Sequence, residues 1–340
     1  MTIRSEHRAI TINDVARAAG VSRAAVSKVI RNASGVSPAM RERVNVAIEE
    51  LGYRPSLAAR AMRGNSYRLG LEIPHIGARF MVQVVEGAQN VLAGTPYQLV
   101  VAAPAGPEYG AIETLVDGFV DGIVAVSPMV DTAWLENLAS RVPVVMLGRH
   151  DPAEHYDTVT GDDVVGAREV MRHLYELGHR DIAHVTESDV VSRLGSGTPH
   201  AMRREAYLDF MADAGLEPQV RTLQQPVGTD NGARTATAEL LARGGSPTAI
   251  FAGHDDIAIQ VLAGIADSGR PRDAISVVGY DNTDFAAHPL ISLTSVDQRG
   301  VEMGAEAVTM LLERIQGRTL SRHHVVTPTL RIRTSTGPPR

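Results

Sequence analysis

From Leu69 onward, short apolar runs alternate with helix-patterned stretches, and this alternation constrains the fold more than any other feature of the chain. LGLEIP (69–74), YQLVVAAP (97–104), VDGIVAVSP (120–128) and VPVVMLG (142–148) read as strands, with helices expected at 80–93, 108–117 and 131–140. Strands joined through helices run parallel and need both faces covered. The pattern then restarts with a helix at 163–177, DIAHVT (181–186), a helix at 201–214 and a strand near 220–224. A helix at 231–243, TAIFAG (248–253), a helix at 255–268 and ISVVGYD (275–281) follow. Two similar halves joined near 160–162 predict two lobes of doubly wound parallel sheet with a cleft between them. The helix at 300–316 is expected to cross back to the first lobe. That assigns about 68–160 and 292–320 to lobe 1, and about 161–291 and 321–334, with a last strand at 323–333, to lobe 2.

The sequence before this body has a different character. Met1 to Arg63 hold 11 Lys or Arg against 5 Asp or Glu, a balance of +6, which leaves −12 for the rest of a chain whose net charge is −6. A basic head on an acidic body suits a small module for polyanions attached to something else. Thr11 can cap a helix with Asp14 in its first turn, and Val15, Ala16 and Ala19 share one face. Gly20 lets the backbone leave that helix, and Ser22 is placed to cap a second. The second helix turns Val26, Val29 and Ile30 inward, leaving Arg23, Ala24, Ser27 and Lys28, the only lysine of the chain, on its other faces. Ser37 and Pro38 open a third helix with Val44, Ile48 and Leu51 buried, ended by Gly52. Three short helices with a tight glycine turn match helix-turn-helix geometry, the second helix being free to enter a major groove. Ala24 and Ala25 permit close docking, the Arg23 fork fits guanine O6 and N7, and Ser22 and Ser27 can bond phosphate oxygens.

TINDVARAAGVSRAAVSKVI, VSPAMRERVNVAIEELGYRP and LAARAM, in that order, resemble the LacI/GalR family of bacterial transcription regulators, and DGIVAVSP, LGHRDIAHV, VVGYDNTDF and SLTSVDQ extend the resemblance into the body. It implies residues 1–55 as a three-helix DNA-binding head, 56–67 as a hinge helix and linker, and 68–340 as an effector-binding and dimerisation body of periplasmic-binding-protein type. It further implies Arg23 and Ala24 as base readers with Lys28 as a third, and Thr11, Ser22, Ser27, Asn32 and Ser37 as phosphate or backbone contacts. In the hinge, Ser56 to Met62 would fold on operator DNA, Ala58 and Ala59 would let two hinge helices meet, and Met62 would wedge between base pairs where relatives carry leucine. Effector contacts map onto His75, Phe80, Asp162, Arg203, His254, Asp281 and Gln298. A charged Arg203 with Asp162 and Asp281 suits a polyhydroxylated or zwitterionic molecule. His254 stands where relatives place asparagine, Val227 where many have an aromatic, His75 for the usual Asp and Arg79 for a common proline. No relative's sugar specificity therefore transfers directly.

Other classes lack support in the sequence. There is no GxxxxGK[ST], GxGxxG or GxSxG motif, and no nucleophile, base and orienting group stand together, so neither enzyme nor cofactor is expected. Zero cysteines exclude disulfides and thiolate metal sites. His323 and His324 are adjacent and point apart on a strand, against a metal site, while His173 and His179 are expected to cap a helix end. MTIRSEHRAI lacks the apolar core of a secretion signal, and a cytoplasmic location is expected. The expected molecule is a homodimeric repressor on a near-palindromic operator, controlled by a small molecule, most simply a carbohydrate. A transport protein of the periplasmic type, or an enzyme on the same fold, shares such a body. Release of a DNA-binding fragment of about 60 residues by trypsin would separate the regulator from both.

Overall fold

Asp14 sets the start of the first helix: its carboxylate accepts from Thr11 N at 2.9 Å and from Thr11 Oγ1 at 2.7 Å, at the end where a helix favours negative charge. The computed structural model describes residues 10–30, 33–53, 66–104, 110–118, 120–151, 153–224, 232–242 and 247–340, in two units that divide between Ser66 and Tyr67. In the first unit, α1 spans Ile12–Ala19, α2 Arg23–Ile30 and α3 Pro38–Leu51. Gly20, at φ +64°, ends α1 and donates back to Arg17 O, in a backbone region that glycine enters without a Cβ penalty. Ser22 Oγ then accepts from Ala25 N at 3.1 Å to begin α2, and Ser37 Oγ accepts from Met40 N at 3.3 Å to begin α3. Val15, Ala16, Ala19, Val26, Val29, Val44, Ala47 and Tyr53 form the shared core. Ala47 fills the centre of the α3 stripe, and Ile48 and Leu51 border it.

The second unit contains β1 (Arg68–Glu72), α4 (Phe80–Leu92), β2 (Gln98–Ala102), α5 (Gly110–Asp117), β3 (Gly122–Val126), α6 (Thr132–Ala139), β4 (Val144–Leu147) and β5 (Asp157–Gly161). It continues with α7 (Asp163–Glu176), β6 (Ile182–Thr186), α8 (Pro199–Asp213), β7 (Gln219–Thr222), α9 (Gly232–Ala242), β8 (Ala249–Ala252), α10 (Asp255–Asp267) and β9 (Ser276–Tyr280). The short α11 (Asp284–Ala287), β10 (Thr294–Asp297), α12 (Gly300–Ile315), β11 (His323–Val326) and β12 (Thr329–Arg331) complete it. One sheet has the order β11-β5-β4-β3-β1-β2 and the other β12-β10-β9-β8-β6-β7. Every pairing is parallel except β10 with β12.

Three expectations need correction. β5 is a fully buried strand where the sequence pattern indicates only a junction; its Thr-rich DTVTG lacks the apolar run of its neighbours. β10 pairs with β9 in the second sheet, so the chain returns to lobe 1 after Asp297 and not near 292. The single strand expected at 323–333 is two, β11 in the first sheet beside β5 and β12 in the second beside β10. Pro328 lies between them, where a residue without an N–H cannot continue a ladder.

α12 does belong with the first lobe, packed along α4 in the cluster of Leu69, Leu71, Val84, Met303, Ala307 and Leu311. Glycine permits that approach: a Cβ on Gly87 would lie 2.0 Å from Val301 O, and one on Gly304 2.1 Å from Val84 O. The chain end is stitched to the second lobe, with Val277 N donating to Ser335 O at 2.9 Å. His173 and His179 are not helix caps; their Nε2 atoms lie 3.0 Å from Thr336 Oγ1 and 2.9 Å from Gly337 O. Among the described residues, no helix is long and apolar enough to cross a membrane.

Candidate functional site

The head presents α2 as its free face. Arg23, Ala24 and Lys28 are exposed and Ser27 is half exposed, opposite the buried Val26 and Val29. Arg23 with Ser27, and Ala24 with Lys28, stand four residues apart and so line up along the helix. Ser22 and Ser37 accept from backbone amides, as above, which leaves each hydroxyl proton to donate outward. Thr11 is exposed beside Asp14. Asn32, Ala58, Ala59 and Met62 lie outside the described residues, as does Val227.

In the body, the carboxyl ends of both sheets and the crossings between lobes bring most of the expected effector residues together. Arg203, on the buried face of α8, donates from Nε to Asp163 Oδ1 at 2.7 Å, from Nη1 to Gly253 O at 2.8 Å and from Nη2 to Gln298 Oε1 at 3.4 Å. Its guanidinium carbon lies 3.6 Å from the centre of the Tyr280 ring. Gln298 sits in the second crossing and donates through Nε2 to Asp281 Oδ1. Arg203, Gln298 and Asp281 are thus one buried hydrogen-bonded chain. Burial pushes the Asp281 carboxyl upward, against the pull of Arg203.

His254 lies beside this chain, with Nε2 3.3 Å from Glu187 Oε1. Burial opposes its protonation, but the Glu187 carboxylate holds it above the usual imidazole range. The His200 ring stands edge-on to it at 5.5 Å. Burial, reinforced by the charge of Arg203, keeps His200 neutral, and its buried Nδ1 has no hydrogen-bond partner among the described residues. From the first lobe, half-buried His75 feels the charges of His254, Glu187 and Asp256; burial first, then His254, lowers its pKa. Phe80 is half buried against the first-lobe core, in a space kept by Gly300, where a Cβ would come within 2.6 Å of the Phe80 ring.

Asp162 stands at the start of α7. Its carboxylate accepts from Val165 N at 3.0 Å and caps α7, and the acid that meets Arg203 is the next residue, Asp163. Asp163 also lies 3.1 Å, through Oδ2, from His150 Nε2. Asp255 is structural: it accepts from Thr283 N, Thr283 Oγ1 and Ser295 Oγ at 2.7, 2.9 and 2.6 Å. Sequence reasoning missed Asp163, Glu187, Asp256, His150 and His200. The doublets Asp162-Asp163 and Asp255-Asp256 were the available signal, since one acid of each pair caps or braces while the other meets an arginine, Arg203 for Asp163 and Arg79 for Asp256. The segment 187–200 reaches the first lobe, where His150 N donates to Gly197 O at 3.0 Å.

Catabolite control protein A of Priestia megaterium is 30% identical to this chain over 326 residues, 94% of this chain and 96% of that protein. The chain belongs to the LacI family. Residues 11–56 match the family described as bacterial regulatory proteins, lacI family, and residues 171–336 the periplasmic binding protein-like domain. A solved lac repressor dimer bound to operator and the anti-inducer ONPF is 25% identical with a TM-score of 0.76, over 97% of this chain and all of that one. A complex of the transcriptional regulator CelR with cellobiose is 29% identical with a TM-score of 0.68, over 96% of this chain and all of that one. As a LacI-family member the protein is a helix-turn-helix transcriptional regulator, with a mixed α/β body of two parallel-dominated sheets that follows the DNA-binding head in sequence.

Proposed function

We propose that the protein is a cytoplasmic repressor that binds a near-palindromic operator as a homodimer and is controlled by a neutral polyhydroxylated molecule, a sugar or sugar derivative, held between the lobes. In this reading residues 1–55 read the operator, with Arg23, Ala24 and Lys28 at base edges, and 56–67 fold as the hinge. The body binds effector through His75, Phe80, Asp162, Arg203, His254, Asp281 and Gln298, with Asp163 bracing Arg203 from within. The observation that carries the ligand class is the pairing of Arg203. Three of its five N–H donors are engaged by Asp163, Gly253 O and Gln298, and its charge is matched by the Asp163 carboxylate, so it offers little net charge to a carboxylate or phosphate. Around Arg203 stands a set of neutral or mixed hydrogen-bonding groups, including His200 Nδ1, which has no partner among the described residues, and such a set suits hydroxyls. The cellobiose complex of the CelR relative is in keeping with this class.

Two exposed apolar surfaces support the dimer. Tyr67, Val100 and Val101 stand on the first lobe, and Leu290, 77% exposed, stands on the second. Leu290 borders a groove of about 310 Å³ with Ile259, Leu262, Ala266 and Ile291.

A thermal-shift screen of the full chain against neutral sugars, sugar acids, sugar phosphates, nucleosides and amino acids tests the ligand class. A ligand at 100 times its Kd stabilises a fold by about 2.7 kcal/mol. The expected result is a shift with a neutral sugar that disappears in Asp281→Ala. A shift with an anionic compound alone would overturn the class, and a chain that fails to bind any palindromic DNA in selection from random duplexes would overturn the repressor reading.

A further inference from the structure

The first turn of α4 reaches across the cleft and grips the second lobe with side chains of the protein itself. Arg79, the residue before the helix, pairs through Nη1 with Asp256 Oδ1, and its backbone N–H points at Asp256 Oδ2 from 3.4 Å. Its guanidinium carbon also lies 4.3 Å from the centre of the Phe285 ring. Four residues on, and so on the same helix face, Gln83 donates through Nε2 to Asp281 O at 3.1 Å and to Asn282 O at 3.3 Å. Those two carbonyls belong to a segment with φ of +106° at Asp281 and +48° at Asn282, a conformation that exposes carbonyls which regular structure would engage. One face of α4 therefore holds the start of α10, the 281–282 turn and the ring of Phe285 at once.

The pair is built to hold and to be released. Asp256 is 9% exposed and sits in the first turn of α10, where the helix end favours its charge. Arg79 is 40% exposed, so the pair forms at the rim of the cleft, where solvent and salt can compete for it. None of these contacts involves the Arg203, Gln298 and Asp281 side-chain chain that the effector reading uses.

We propose that Arg79 and Asp256 are positioning residues: a clasp that closes the two lobes before any effector arrives, and so sets how much closure an effector must still supply. An effector selective for the closed form then binds more tightly by the factor through which the clasp enriches that form. The inference does not depend on the identity of the effector.

The test reads lobe separation directly in the full chain without ligand. Because the chain has no cysteine, Ala133→Cys on α6 and Ala212→Cys on α8 give one labelling site per lobe, both exposed. Spin labels there, with labelled chain diluted into unlabelled chain, report the distance between lobes. In the parent a single closed population is expected. Arg79→Ala and Asp256→Asn should each raise the share of a longer distance by about tenfold, equivalent to about 1.4 kcal/mol. Raising sodium chloride to about 1 M should move the parent the same way, which needs no substitution that could disturb folding. An unchanged distance distribution in both variants and in high salt would overturn the clasp. Loss of effector binding with the distances moving as expected would count against the proposed ligand class alone.

Discussion

Asp163 joins Arg203 to His150: one carboxylate oxygen accepts from the arginine at 2.7 Å and the other lies 3.1 Å from the histidine. Both Asp163 and Arg203 are buried, at 1% and 3% exposure. Breaking one partner of such a pair strands a charge in the interior, at a cost of roughly 3–5 kcal/mol. Asp163→Asn and Arg203→Ala should each lower stability by that amount in urea melts. A double variant Asp163→Leu with Arg203→Met should cost less than the sum of the two, because no charge is left unpaired. Additive losses would mean that the two side chains act independently.

Glu72 gives the body a pH dependence of its own. It is buried on β1 and accepts from Val126 N at 3.1 Å. Burial raises its pKa from 4.5 to about 7, against that one hydrogen bond. A carboxyl raised on folding leaves stability intact below its unfolded pKa and takes stability away as pH rises through the folded value. The window is therefore about pH 4.5 to 7, and the loss above it is about 3 kcal/mol. Glu72→Gln keeps an acceptor for Val126 and removes the charge. It should be more stable than the parent at pH 8 and no more stable at pH 4.5. Parallel curves for the two proteins across that range would refute the assignment.

Gly304 tests the packing of α12 on α4. An alanine methyl there would meet Val84 O at 2.1 Å, which backbone cannot accommodate by a rotamer change. Gly304→Ala should destabilise by about 1–3 kcal/mol, whereas Gly317→Ala, where a Cβ would meet nothing within 4 Å but φ is +109°, should act through backbone strain alone. Calorimetry of the two variants, with equal changes in heat capacity, would check the first value.

Arg23 offers a test that separates base reading from general affinity. With the Arg23 fork on a base edge, Arg23→Ala should cost about 1–3 kcal/mol on operator and relax preference at one base pair per half-site. Its loss on random duplex should be small. Equal losses on both DNAs, measured at one salt concentration, would reassign Arg23 to the phosphates.

Much of this was legible because single residue types carry the local geometry. Gly20, Ser22 and Ser37 punctuate the head where capping chemistry requires, and the apolar runs placed the central strands. β5 was illegible because its polar side chains are buried by pairing, with Asp157 held by Arg314 at 3.0 Å and Thr158 beside His323 at 2.9 Å. Burial by partners distant in sequence leaves no periodic trace. The division of roles between Asp162, which caps α7, and Asp163, which meets Arg203, was hidden for a related reason. Two adjacent acids differ only in which one the helix start claims, and that is decided by the backbone of α7. Arg79 was visible as a departure from the family pattern, but its partner 177 positions away was not.

The lobes are stitched together by three separate passages of chain, after Gly161, after Asp297 and after Val326. Neither lobe is therefore a contiguous piece of sequence. Exchanging one lobe with that of a relative would take three matched splice points, and a crossover at a single point would mix strands from two parents within one sheet. Recombination can readily trade the head, which is contiguous, against an intact body. New pairings of operator and effector are accessible by that route, whereas a new cleft has to arise by substitutions within the body as a whole.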